Sequence, residues 1–346
     1  MSSLLETKEY IKQIYAKNQA YIDPVLRFLL AFIIFLMINT KIGYMEKIDS
    51  MVFVLVAALF CSFMPLKTIA FIGAAFMLLH YYALAPECAL VVLVIYAFMF
   101  LLFLRFAPKE TMVVLLTPVL FLLKVPYVMP IVMGLLGGPA SVVSVSFGVV
   151  ISYLIEYTEK NASAISSMDS ETMLTRLRFV MDGLIANKAM FVTIVAFAVT
   201  LILVYVIRRT SMDYCWTIAT VAGALTDIVI LLLGDLLMDL NYSIPGIIFG
   251  SVLAGFICFA LQFISFYVDY KRTEHVQFED DEYYYYVKAV PKVTVSAPDK
   301  KVKRINSKRE NAARTAVPTS VKTAHGVARA SKDATHADGA KKRNKG

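Results

Sequence analysis

The sequence predicts an all-α fold, a polytopic integral membrane bundle of eight to ten spans, and three observations carry the prediction. Apolar residues make up 59% of the 346-residue chain and the mean hydropathy is +0.67, outside what a water-facing surface permits. Between Pro24 and Tyr270 the apolar runs follow one another almost without interruption. None shows the short polar/apolar alternation of a membrane barrel, so backbone N–H and C=O groups must be satisfied within helices.

Residues 1–23 carry Glu6, Lys8, Glu9, Lys12 and Lys17 and are too polar for the apolar region of a signal peptide. Leu4, Tyr10, Ile11, Ile14, Tyr15 and Ile22 recur at roughly helical spacing, which predicts an amphipathic N-terminal segment on the inner face. The membrane domain, 24–270, follows with spans expected at 25–40, 48–65, 67–84 and 87–105. Next come two shorter apolar pieces, 111–123 and 126–137, each only ~20 Å of helix against ~30 Å of hydrocarbon. They read as two short leaning helices or as one re-entrant hairpin. Four further spans are expected at 139–158, 188–207, 213–236 and 245–268.

Between the first two of these four, residues 159–187 place Met173, Leu174, Leu177, Val180, Met181, Leu184 and Ile185 on one stripe. Asp169 or Ser170 would cap its start, and the stripe predicts an external amphipathic helix, either a surface anchor or a lid. After the last span, 271–295 is acidic and tyrosine-rich. Its HVQFEDDEYYYYVKAVPKVTV stretch favours an extended strand or hairpin beside the membrane. From Ser296 to Gly346 the composition cannot bury enough apolar surface to fold, and a disordered basic tail is expected.

Charge sets the orientation. From Lys271 to Gly346 there are 18 Lys/Arg and 9 Asp/Glu, a balance of +9, so the remaining 270 residues carry −1 of the total +8. Lys8, Lys12, Lys17 and Arg27, then Lys67, then Arg105 with Lys109, then Arg208 with Arg209, and Lys271 with Arg272 recur at every second boundary. The positive-inside rule puts those boundaries, and both termini, in the cytoplasm of a cell whose plasma membrane holds the protein. Cys61, Cys88, Cys215 and Cys258 are far apart and read as small buried apolar residues.

Ionisable groups inside spans are costly and are the first candidates for function. Asp227 falls near mid-depth in its span, with Asp235 and Asp239 near the outer mouth. A mid-depth carboxyl must be protonated, paired or hydrated, so Asp227 is either a proton or cation site or a neutral acid bonded to a neighbouring helix. Lys124, Arg27 and His80 read as interface residues. Helix breakers form the second candidate: Pro126, Pro130, Gly134, Gly137, Gly138 and Pro139 interrupt the middle of the chain, and Pro245 and Gly246 the last span. Interrupted helices in corresponding places mark transporter cavities, although close helix packing through small residues explains the same pattern. No Walker, GxGxxG, HExxH, GxSxG or CxxC pattern is present, so no catalytic residue, cofactor or metal is assigned. The tail clusters KKVKRINSKR and KKRNKG suit anionic lipid, and nucleic acid is the least supported partner.

The stretches FAPKETMVVLLTPVLFLLKVPYVMPIVMGLLGGP and FEDDEYYYYVKAVPKVTV resemble a group of multispanning membrane proteins of Gram-positive anaerobes that carry an ABC-transporter permease label. The resemblance implies a separate ATPase partner and assigns no catalytic residue. Three functions remain in view: a transport component without its own ATPase, a non-catalytic scaffold that recruits a cytoplasmic or envelope-assembly partner through its C-terminal segment, and an intramembrane enzyme acting on a lipid-linked substrate.

Overall fold

The computed structural model describes residues 2–167, 173–240, 242–265 and 274–289. These form eleven α-helices and one β-hairpin: α1 (Ser2–Ile42), α2 (Met51–Ser62), α3 (Leu66–Leu84), α4 (Pro86–Phe106), α5 (Thr111–Leu122), α6 (Val128–Leu136), α7 (Ser141–Ser167), α8 (Met173–Ile185), α9 (Lys188–Arg208), α10 (Cys215–Met238), α11 (Ile244–Ser265), β1 (Glu274–Glu279) and β2 (Tyr284–Ala289). Seven segments are long and apolar enough to cross a bilayer: Thr7–Ile42, Leu66–Leu84, Pro86–Phe106, Ser141–Ser167, Thr175–Arg208, Cys215–Met238 and Ile244–Ser265. The protein is an all-α, multi-pass membrane bundle.

The expected N-terminal amphipathic segment and first span are one rod, α1, which bends where Asn18 leaves helical geometry (φ −114°, ψ 19°) and continues through Pro24. At 1.5 Å per residue the rod is ~62 Å long, twice the hydrocarbon thickness, so its polar first half lies outside the apolar slab. That half is tied to the end of α11, because Lys8 Nζ donates to the Phe263 carbonyl at 2.8 Å.

The second span is shorter than the expected 48–65. Ser50 caps α2, accepting from the Phe53 N–H at 3.2 Å, and Pro65 keeps Met64 out of the helical region. Even so, α2 runs back alongside α1 to the starting depth: Ser62 Oγ donates to the Pro24 carbonyl at 2.8 Å, and Arg27 Nη1 reaches the Met64 carbonyl at 3.4 Å.

The loop before α2 is held by His80, which is fully buried. Its Nδ1 accepts from the Met45 N–H at 3.2 Å and its Nε2 faces Asn39 Oδ1 at 3.1 Å, so the ring is the neutral Nε2–H tautomer. The expectation of an interface residue gives way to a satisfied interior one.

The two short central pieces, α5 and α6, enter and leave at the same end of the bundle. Ser141 Oγ, just beyond them, donates to Oε1 of Glu110, just before them, at 2.6 Å. The turn between them closes with Lys124 at φ 59° and a bond from the Val125 N–H to the Leu120 carbonyl at 2.9 Å. It stands level with Gly250, six residues inside α11 and thus ~9 Å below that helix's start. This is the re-entrant alternative, with a difference: the two limbs splay, α5 packing on α7 and α6 on α9 and α11.

Residues 159–187 depart from the expected single external helix. Leaving the apolar slab does not end α7, which runs on to Ser167 with ion pairs from Lys160 to Glu156 (2.5 Å) and from Lys41 to Glu159 (2.9 Å). Only Met173–Ile185 forms a separate helix, and it is docked on the bundle. Val180 and Leu184 enter the core shared by α1, α3 and α4, while Met181 and Ile185 stay exposed. Tyr157 Oη donates to the Phe179 carbonyl at 3.0 Å, and Arg176 meets Glu87 of α4 at 3.7 Å. The proposed caps Asp169 and Ser170 lie outside the described residues.

The expected extended segment is an antiparallel hairpin in the register Glu274↔Ala289 to Glu279↔Tyr284. Asp280 pins its tip, one carboxylate oxygen accepting from the Glu282 and Tyr283 N–H groups (2.9 and 2.6 Å) and the other from Tyr285 Oη (2.9 Å). These bonds favour the ionised form, the two backbone donors first, and hold the Asp280 pKa below the ordinary aspartate value. A lowered folded value means the tip is stabilised above the unfolded pKa and loses that contribution as pH falls through the folded one. The protection factor of the Glu282 and Tyr283 amides in the full-length protein is therefore expected to hold steady from neutral to mildly acidic pH. It should fall only below the usual carboxylate range; Asp280→Ala should lower it throughout, and an unchanged protection factor in that variant refutes the account. The expectation of disorder for 296–346 falls outside the described residues.

Candidate functional site

The polar groups of the second half gather where α6, α7, α9, α10 and α11 meet. Asp227 is at its centre, fully buried on α10. Thr200 Oγ1 of α9 donates to Asp227 Oδ1 at 2.7 Å, and among the described residues Oδ2 has no hydrogen-bond partner. Tyr127, in the turn leading into α6, lies within Coulombic reach of both Asp227 and Tyr242. Cys258 of α11 also lies within Coulombic reach of Asp227, and its Sγ sits 3.8 Å from the Val128 carbonyl.

Tyr242 opens a second layer of hydroxyls toward the far end. Tyr242 Oη and Thr193 Oγ1 both donate to the Ala189 carbonyl, at 3.0 and 2.8 Å. Tyr153 Oη lies 2.8 Å from Thr193 Oγ1 and 3.2 Å from Tyr242 Oη, and with both of those protons committed it is the donor to one of them. The Tyr242 N–H in turn donates to Asp235 Oδ1 at 2.9 Å. A cluster of hydroxyls, from Tyr242, Thr193 and Tyr153, thus lies toward the end of α10, where the Tyr242 backbone N–H meets Asp235.

Close approach of the helices depends on glycine. A Cβ on Gly134 would lie 2.6 Å from Val204 Cβ and 3.0 Å from the Leu201 carbonyl oxygen; one on Gly223 would lie 2.5 Å from Val204 Cγ2. Val204 of α9 is gripped between α6 and α10, one turn from Thr200. Gly250 likewise admits Tyr127, whose Cε2 would be 2.5 Å from an added Cβ.

The candidate residues divide accordingly. Asp227 is buried against Thr200 and Asp235 meets the Tyr242 N–H, whereas Asp239 ends α10 at φ 52° on the exposed side. The central segment packs against α11, and Gly134 makes helix contact with Val204 of α9. Gly137 and Gly138 turn the chain into α7; the Gly137 carbonyl accepts from Arg208 Nη2 at 2.7 Å, and Arg208 Nη1 bonds the Leu135 carbonyl. Arg208 so satisfies carbonyls that the end of α6 leaves open. Pro126 and Pro130 are buried in the turn and first part of α6, and Pro139 is exposed. Pro245 and Gly246 do not interrupt a span: they form the exposed first turn of α11, where a missing proline N–H costs no helical bond.

A cavity of about 280 Å³ lies elsewhere, between α1, α3, α4, α5 and α7; of the helix breakers in the middle of the chain, Pro118 lines it, and Asp227, Asp235 and Asp239 do not. Thr200, Tyr127, Tyr153 and Tyr242 escaped the sequence reading because single hydroxyls in apolar runs carry no spacing signal. Proximity to Pro126 and Pro245 was the one available hint for the two tyrosines flanking those prolines. Among the described residues no group of His, Cys, Asp and Glu is placed to hold a metal ion. Comparisons with protein-family models, curated proteins and solved structures find no match.

Proposed function

We propose that the chain is a transport component of the cell membrane, without an ATPase of its own, in which Asp227 takes up and releases a proton. The observation that carries the reading is a fully buried acid with one oxygen held by Thr200 and, among the described residues, the other unpartnered. An ionised carboxylate there is costly, so a charge crosses this level most cheaply as a proton that neutralises it. The hydroxyls of Tyr153, Thr193 and Tyr242 lie on the Asp235 side of that acid, and water entering between them would complete the path. The positive-inside rule orients the machine: Lys8, Arg27, Lys67, Arg105, Lys109 and Arg208 cluster at one end, which would be cytoplasmic, leaving Asp235 at the outer face. The permease-like resemblance supports a separate ATPase partner.

The test is Asp227→Asn in reconstituted vesicles. The amide oxygen still accepts from Thr200, so the unfolding midpoint should move little, while proton flux under an imposed potential falls to the level of empty vesicles. Flux equal to the native protein's rejects the proposal.

A second reading rests on the hairpin, where Tyr284 and Tyr286 are 68% and 78% exposed. Exposed aromatics on a short two-stranded ribbon with open edges suit recruitment of a cytoplasmic partner by strand addition. Tyr284→Ser with Tyr286→Ser in the full chain should then remove a co-purifying protein; an unaltered set of partners counts against scaffolding.

A further inference from the structure

The cavity in the first half of the bundle has the shape and charge of a site for one lipid tail, and we propose that it holds an acyl chain of an anionic phospholipid with its phosphate at Lys67. Its walls are apolar, and Lys67 is the one charged residue among those lining it. Lys67 stands at the mouth, at the start of α3. Leu104, near the end of α4, and Thr111, at the start of α5, stand beside it, because α3 and α4 are antiparallel around the turn at Ala85.

At the other end Tyr96 Oη donates to Met77 Sδ at 3.0 Å, closing the floor. From Lys67 to Met77 is ten residues of α3, ~15 Å, half of the ~30 Å hydrocarbon thickness. That is the depth of a single leaflet.

The mouth selects for charge. Arg105, at the end of α4, and Lys109, on the α4–α5 turn, lie at the same end of the bundle as Lys67; all three are exposed, and none forms an ion pair among the described residues. Glu110, the nearby acid, is held by Ser141 Oγ on its α7 side. Three unneutralised cations at the mouth end of an apolar slot complement a phosphate with a chain beneath it, and a zwitterionic headgroup would bring its own cation against them. Gly73 and Ala74 leave the slot open: a Cβ on Gly73 meets nothing closer than 3.9 Å.

The test uses the full-length protein in phosphatidylcholine vesicles doped with phosphatidylglycerol or phosphatidylcholine carrying a photoreactive group midway along one chain. At low salt the anionic probe should cross-link to Phe71, Ala74 and Phe100 several-fold more than the zwitterionic one, and added salt should shrink the ratio. Lys67→Gln with Arg105→Gln and Lys109→Gln changes exposed residues only and should bring the ratio to one. Ala74→Trp should abolish these cross-links for both probes while labelling elsewhere on the bundle persists. Equal yields for the two probes in the native protein, an unchanged ratio in the triple variant, or no lipid cross-links in the slot would each overturn the proposal; the last would point to a non-lipid occupant.

Discussion

Arg176→Met is expected to lower the stability of the detergent-solubilised protein by about 3 kcal/mol, the low end of the ~3–5 kcal/mol that follows removal of one member of a buried ion pair. The side chains of Arg176 and Glu87 are 13% and 9% exposed, so water does little to screen them. Their 3.7 Å separation is longer than a hydrogen bond, which argues for the low end. The loss should be local first. Val180, Leu184 and the Tyr157 bond to Phe179 also tie α8 to the bundle, but it is a short helix at its edge, so amide exchange should rise in Met173–Ile185 before it rises in α4 or α7. Glu87→Met alone should also destabilise the bundle, because it removes the carboxylate that faces the Arg176 guanidinium. Both together should cost clearly less than the sum, since an apolar pair of similar volume leaves no uncompensated charge. Thermal unfolding of the three variants checks this, and a single variant as stable as the native chain defeats it.

That pair also marks the limit of what the sequence reveals. Expected spans at 67–84, 87–105 and 188–207 match α3, α4 and α9 to within a residue, because proline or charge falls at their ends. Boundaries failed where a physical stop was absent or hidden. Nothing ends α7 at residue 158, since Lys160 with Glu156 and Asn161 with the Tyr157 carbonyl favour further helix in water. Ile48 looked like part of α2 but turns back toward Met45 before Ser50 caps the helix.

At the candidate site, Asp227 was legible from its energetic cost alone. Its partner Thr200 was not, because it lies 27 residues away and a threonine in an apolar helix ordinarily bonds its own backbone. Gly134 was legible as a break and belongs instead to a close contact, a distinction that only the neighbouring side chains reveal.

Val204 turns that distinction into an unequal pair of rescues. Gly134→Ala and Gly223→Ala should each destabilise the bundle by about 1–3 kcal/mol, since a well-packed interior yields to an added methyl only by shifting side chains or backbone. The obstacles differ. The new methyl at 223 would meet the Cγ2 of Val204 at 2.5 Å and then nothing nearer than Ile131 Cγ1 at 3.2 Å. At 134 it would meet the Val204 Cβ at 2.6 Å and the Leu201 carbonyl oxygen at 3.0 Å, neither of which a shorter side chain removes. Val204→Ala should therefore recover most of the loss from Gly223→Ala, with a coupling of about 1–2 kcal/mol, and little of that from Gly134→Ala. Equal rescue of both, or of neither, would mean that the helices move apart as rigid bodies and that the grip on Val204 does not set their spacing. Because Val204 and Thr200 share a face of α9, and Gly223 stands one turn from Asp227, the unrescued variant should also draw Thr200 away from Asp227. Proton flux in vesicles should then fall for Gly134→Ala and return for the Gly223→Ala, Val204→Ala pair, so that stability and transport follow the same contact.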